Sequence, residues 1–272
     1  MITGINKGMN SNMRRLASGL NHSIEKSLGI LLLLALWEIV PRVGLVDDTY
    51  LSPPSLVFSA MIGLLNSGEL GIHILSSLKR ALAGLLLAVV VGTGFGLFIG
   101  SIKRIERMLD SVFQTFRQMS AFALFPVFIL FFGIGEVSKT IIIFWASLWP
   151  VLLNTINGVK NVDKLLIDSA KSMGASQSFI FTKVILPAAA PGIFTGIRLG
   201  GSYCVMSLVA AEMIGAHSGL GYLVLYSQET FKISDMYAAI VGLALVGLGL
   251  NYVLTYIEKV LTNWKEESSI NG

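Results

Sequence analysis

The side chains able to do chemistry in this sequence are few, and several sit in apolar runs where an unpaired charge is costly. Arg117, with Gln118 and Ser120 after it, precedes FALFPVFILFF; Glu212 closes the run that holds Tyr203 and Ser207; Trp145 and Trp149 lie within IIIFWASLWPVLL. An arginine at that depth can meet an anion, or it can snorkel or pair with a neighbouring helix. Glu212 either lines the mouth of a pathway or ends its run in water. The two tryptophans lie too deep for an interfacial belt, which leaves packing or pathway lining. None of these groups has the company that covalent chemistry needs. The patterns H-E-x-x-H and G-x-S-x-G are missing, and His22, His73 and His217 lack metal-ligand spacing. Cys204 is the only cysteine, so no disulfide forms within the chain. No G-x-x-x-x-G-K-[ST] occurs, and ATP is not bound by that route. An enzyme is therefore disfavoured, and neither metal nor cofactor is expected.

The elements that position these residues belong in a bilayer. Of 272 residues, 54% are hydrophobic and 13% charged, where soluble domains carry roughly a quarter charged. A span needs about twenty mostly apolar residues. Six stretches qualify: 28–46, 79–101, 109–132, 138–158, 189–214 and 236–258. The third and fifth, around Arg117 and Arg198, are the least hydrophobic. The first thirty residues resemble a signal peptide, but no small-residue cleavage pattern follows, so the first run reads as a retained span. Lysine and arginine set the orientation. With the N-terminus inside, thirteen of the twenty basic residues fall on cytoplasmic segments. The expected organisation is a cytoplasmic segment 1–27, a membrane domain 28–258 with a cytoplasmic loop 159–187, and a cytoplasmic tail 259–272. Between the first two spans, LSPPS at 51–55 breaks the chain, and VFSAMIGLL forms a short helix at the outer interface. Gly92, Gly96 and Gly100 recur every four residues, as do Gly196 and Gly200. That spacing serves close helix packing within the subunit, or a moving or dimeric interface.

One polar stretch breaks the pattern: DSAKSMGASQSFIFTKVILP at 168–187. From Asn161 to Met173, Val162, Leu165, Leu166, Ala170 and Met173 fall on one helical stripe. Gly174 permits a bend, Ser176 can cap a second short helix, and Pro187 is expected to end it. Helix, bend, helix is either a connector lying on the inner membrane surface or a knob for a groove on a cytoplasmic partner.

These residues resemble the EAA loop of ABC-importer permeases, E-A-A, three residues, G, nine residues, then I-x-L-P. Asp168, Ser169 and Ala170, then Gly174, then Val184, Leu186 and Pro187 stand at those places, with Asp for Glu, Ser for Ala and Val for Ile. LSPPS, SLKRALAG, FFGIGEVSKTIIIFW, PVLLNTINGV and AAEMIGAHSGLGYLV resemble permeases of the nitrate, sulfonate, taurine and bicarbonate group. The resemblance implies an all-α integral membrane fold of six transmembrane helices. It is the type I, methionine-importer-like core of five spans behind one N-terminal span. It implies a homodimer in membrane lipid, two cytoplasmic ATPase subunits, an external solute-binding protein and no nucleic acid. The location implied is the cytoplasmic membrane of a bacterium or archaeon, with both termini cytoplasmic. Transport by alternating access would carry a small anion of the sulfonate, taurine or nitrate type, or a riboflavin- or pyrimidine-like solute. A passive channel or a secondary transporter is the rival class, although a coupled transporter more often shows intramembrane acids and an internal repeat. Candidate pathway residues are Arg117, Gln118, Ser120, Trp145, Tyr203, Ser207 and Glu212. Candidates for docking the external protein are Glu136, Ser218, Gly219 and Glu229. The loop 168–187, including Met173, is the candidate coupling element. One departure stands out: relatives often carry R-P-x-P-P at the start of the third span, where this chain reads RQMSAF from Arg117 to Phe122.

Overall fold

The computed structural model describes residues 28–47 and 49–262, and these are helical throughout their regular structure. The expected segment 1–27 and most of the tail lie outside the described residues. Helix α1 covers residues 28–42, α2 Pro54–Asn66, α3 Glu69–Ser101, α4 Lys103–Gln118 and α5 Phe125–Phe132. Then come α6 Glu136–Lys160, α7 Lys164–Ser172, α8 Gln177–Ile180, α9 Leu186–Met213, α10 Leu220–Glu229 and α11 Ile233–Thr262. Among the described residues, four stretches are long and apolar enough to cross a membrane: α3, α6, α8 through α9, and α11.

Glycine sets how these spans pack. A Cβ added at Gly92, Gly96 or Gly100 would press on Val151, Thr155 or Val159. Each partner lies 59 positions later in sequence (92 to 151, 96 to 155, 100 to 159), so α3 and α6 run parallel and in register. The four-residue stripe thus packs inside this subunit. Against α6, α9 runs antiparallel: Gly192 meets Gly158, Gly196 meets Asn154 and Gly200 meets Val151. Helix α11 in turn lies antiparallel on α9, with Gly247 against Val205 and an Arg198–Glu258 ion pair of 3.3 Å.

Parallel neighbours require a return crossing between them. Residues 102–135 must climb from the end of α3 to the start of α6, a distance of roughly 30 Å at 1.5 Å per helical residue. The expected third span, 109–132, makes this crossing but is not one helix. Lys103, Arg104, Glu106, Arg107 and Asp110 make α4 amphipathic, and it stops where Met119 turns extended (φ −71°, ψ 125°). Pro126 then enters α5 in its first turn, where a missing N–H costs little. The absence of R-P-x-P-P therefore does not restore a continuous helix. A second correction concerns Pro187. It does not end the loop's second helix: α8 runs into α9 through a π-helical turn at Phe181–Ile185, making one 37-residue rod. The wider turn accommodates the proline ring and its absent donor.

The described part of α1 is largely exposed and is tied to α2 and its approach. Trp37 Nε1 donates to Ser52 O at 3.1 Å, and the Ser55 hydroxyl donates to Glu38 at 2.8 Å. The short outer helix expected from VFSAMIGLL is α2, whose Val57 and Leu64 join Leu220, Leu223 and Ala238 in one core.

Candidate functional site

Three places in this fold gather side chains whose chemistry or exposure asks for a function. The first is a cavity of about 570 Å³ between α6, α9 and the break in the third crossing. From α6 come Ile142, Trp145, Trp149, Leu153 and Asn157, which recur at three- and four-residue intervals along one face, with Asn154 beside them. From α9 come Leu199, Tyr203, Met206, Ser207 and Ala210. The break contributes Arg117, Gln118, Ser120 and Phe122. Non-helical backbone at membrane depth persists only where it is buried in protein or lines a wet cavity, and here it lines one.

Six of the seven pathway candidates line this space: Arg117, Gln118, Ser120, Trp145, Tyr203 and Ser207. Among the described residues no carboxylate lies within 4.0 Å of Arg117, whose side chain is exposed in the cavity. Trp145 and Trp149 meet edge to face with centroids 5.1 Å apart, and Phe116 stacks on Trp149 at 5.8 Å. Those contacts hold α4 to α6. The indole N–H groups of both tryptophans are buried and have no acceptor among the described residues. Sequence reasoning missed Asn154 and Asn157. Their signal was present: two amides three apart in an apolar span share a helix face.

Glu212 is the correction. It is fully buried and lies away from the cavity, in the second place of interest, at the end of the bundle that carries α10. Ser77 donates its hydroxyl to the Glu212 carboxylate at 2.8 Å, Gly221 donates its backbone N–H at 2.9 Å, and Arg80 Nη1 donates at 2.8 Å. Arg80 also grips Glu136 through Nε at 2.6 Å and Nη2 at 2.9 Å, and donates to Ser218 O at 2.6 Å. The start of α10 is completed by Leu220 N–H on Ser77 (2.8 Å) and Gly219 N–H on His73 Nδ1 (3.0 Å). This clasp ties α3, α6 and α9 to α10. Sequence reasoning missed Arg80, which stands at the start of the expected span 79–101. The spacing of His73, Ser77 and Arg80, four and then three apart, puts them on one face of α3 and was the available signal.

The docking candidates are redistributed by the same clasp. Glu136 has an exposed side chain pinned by Arg80, and Glu229 is exposed at the end of α10. Ser218 is half-buried. Gly219 is buried at φ 120°, where a Cβ would run into the Glu212 carboxylate, so it cannot present a contact face.

The third place is the loop at the opposite end. Asp163 caps α7 by accepting from Leu165 N–H at 2.8 Å, and Ser176 caps α8 by accepting from Phe179 N–H at 3.3 Å. Gly174 sits at φ 76° between them. Ala175 N–H bonds to Ala170 O at 3.1 Å and Gly174 N–H to Lys171 O at 2.9 Å, the paired pattern of a Schellman cap. The apolar stripe divides. Val162 and Ala170 are buried in this subunit, whereas Leu165 is 71% and Met173 80% exposed, with Leu166 and Phe179 also exposed. Ala170 therefore offers no surface to a partner. Asp168 pairs with Lys171 at 3.7 Å, and Ser169 and Pro187 are exposed. Val184 is half-buried, and Leu186 packs on Val159, Val162, Ala189 and Ile193, which moors the loop to α6 and α9. Among the described residues no cluster of three metal-ligating side chains occurs.

A broken crossing that lines a cavity, beside two rods joined by a helical loop, defines a transmembrane permease of the type I ABC importer fold. In solved structures, the methionine ABC transporter in an inward-facing form matches with TM-score 0.62 and 17% identity over 71% of this chain and 96% of that one. The chain belongs to the family of binding-protein-dependent transport system inner membrane components, which matches residues 88–265. SsuC of Bacillus subtilis, named for aliphatic sulfonates transport, is 35% identical over 86% of this chain and 84% of its own length. The taurine transport system permease protein TauC of Escherichia coli is 32% identical over 97% and 98%. The nitrate import permease protein NrtB of Synechocystis is 30% identical over 88% and 89%.

Proposed function

We propose that two copies of this chain form the translocation pathway of an importer driven by two separate ATPase subunits and supplied by an external solute-binding protein. The subunit itself performs no covalent chemistry. The observation that carries this reading is the broken third crossing, whose non-helical turn opens on a cavity with one arginine and no carboxylate. A lining with that single positive charge suits an anionic solute, and the names of the relatives supply the sulfonate, taurine and nitrate type as its candidates. Leu199, Tyr203 and Met206 leave the cavity open along α9, where a second copy would close it. The α7–α8 loop would face the cytoplasm, in keeping with the excess of lysine and arginine at that end, and would seat Leu165 and Met173 in a groove of the ATPase. Both termini would then be cytoplasmic, and Glu136 and Glu229 would face the external protein. Reconstitution of the permease with the ATPase and binding protein encoded beside it tests this. ATP-dependent uptake of a labelled alkanesulfonate, taurine or nitrate that falls at least tenfold with Arg117→Gln, in a complex that still assembles, is the expected result. Uptake without ATP would mean a channel or a secondary transporter.

A further inference from the structure

The cavity is larger and more aromatic than a small oxyanion requires. Its volume is about 570 Å³, within the range of sites for molecules of drug size. At about 30 Å³ per water, a four-atom oxyanion would share that space with more than about ten waters and remain hydrated. Four rings, Phe122, Trp145, Trp149 and Tyr203, line the walls, and Arg117 is the only charged lining residue. A zwitterion would find no carboxylate there for its positive group. Trp145 and Trp149 stand at 78° to each other, so together they offer a ring face and a ring edge. Phe116, stacked within 7° of parallel on Trp149, and Phe128, 6.1 Å from Trp145, hold that pair in place from behind. Tyr203, 51% exposed, stands at the open side of the cavity, opposite the tryptophans' helix.

We propose that this cavity binds a planar aromatic monoanion, with its ring against Trp145 and Tyr203 and its sulfonate or carboxylate on Arg117. The proposal rests on the importer reading and narrows its substrate class. Arg117 supplies the charge at the end of α4, and the rings supply selection for a flat apolar body that a small or aliphatic anion lacks.

The test is binding of benzenesulfonate to the full-length permease in lipid nanodiscs, read by quenching of tryptophan fluorescence and by calorimetry. Methanesulfonate, taurine and sodium nitrate serve as comparators. Benzenesulfonate should bind at least tenfold more tightly than any of the three. Arg117→Gln should weaken it at least tenfold, and Tyr203→Leu, in a preparation that still elutes as the unaltered protein does, at least threefold. Equal affinity for benzenesulfonate and methanesulfonate overturns the proposal, as does unchanged binding in Arg117→Gln. ATP-dependent uptake is measured on the same preparation with its partners. Uptake that persists while the permease fails to prefer the aromatic anion sinks this proposal alone, and loss of ATP dependence sinks the importer reading.

Discussion

Removing Arg80 should loosen the α10 end of the bundle far more than removing its exposed partner. Arg80 is 6% exposed and Glu212 fully buried, so Arg80→Met strands a buried carboxylate with one hydroxyl and one backbone N–H. Breaking a buried ion pair from one side costs about 3–5 kcal/mol. Glu136, with its side chain 63% exposed, returns to water when its pairing is lost, so Glu136→Gln should cost about 1 kcal/mol or less. Cys204 reports the difference. Its thiol is buried and donates to Ala81 O at 3.4 Å, next to Arg80, so it reacts only when α3 and α9 part. At about 1.4 kcal/mol per tenfold, the labelling rate with N-ethylmaleimide in detergent should rise roughly 10²–10⁴-fold in Arg80→Met, and less than about tenfold in Glu136→Gln. Adding Glu212→Gln to Arg80→Met removes the stranded charge and should bring the rate to within about tenfold of the starting protein. Equal labelling of Arg80→Met and the unaltered chain, or a double variant as fast as the single, refutes the reasoning.

Gly174→Val places a β-branched residue at φ 76°, a strain of about 1–3 kcal/mol, and should leave membrane insertion intact while ATPase association falls; pull-down of the ATPase checks it. Asp168→Ala removes only an exposed pair with Lys171 and should cost about 0.5 kcal/mol or less, with association kept in the same assay. Gly96→Val would drive a side chain into Thr155 and wedge α3 from α6, so the midpoint of thermal aggregation in detergent should fall by several degrees.

Charge and periodicity made much of this molecule readable. Long apolar runs place α6, α9 and α11 to within about four residues, because lipid leaves an unpaired backbone few alternatives, whereas α3 begins ten residues before its apolar run, at Glu69. The loop was legible for a different reason: Ser176 caps locally and Gly174 takes a positive φ, both properties of short sequence, while the cap at Asp163 was missed. What stayed hidden depends on neighbours distant in the chain. Arg80 and Glu212 lie 132 positions apart, and nothing local marks them as a pair. The break after Gln118 was hidden too, since Met119 to Leu124 contains no proline or glycine and its unwound backbone is maintained by surrounding helices. At Pro187 a local rule misled, because a π-helical turn absorbs the ring that would otherwise end the helix. Ala170 shows the remaining limit: periodicity finds an apolar stripe without saying which half faces this subunit.

The role proposed for the α7–α8 loop is to couple this permease to a separate ATPase. Ser169 is exposed beside Leu165 and Met173, and Cys204 can be replaced to leave no other thiol. The decisive measurement is cross-linking of Ser169→Cys in a Cys204→Ser background to single cysteines along the ATPase groove, with and without ATP. The account predicts a specific cross-linked band, with Ser169→Cys shielded from soluble maleimide once the complex forms. Free labelling of that position in the assembled complex, with no cross-link at any groove position, would contradict it and leave the loop a surface connector.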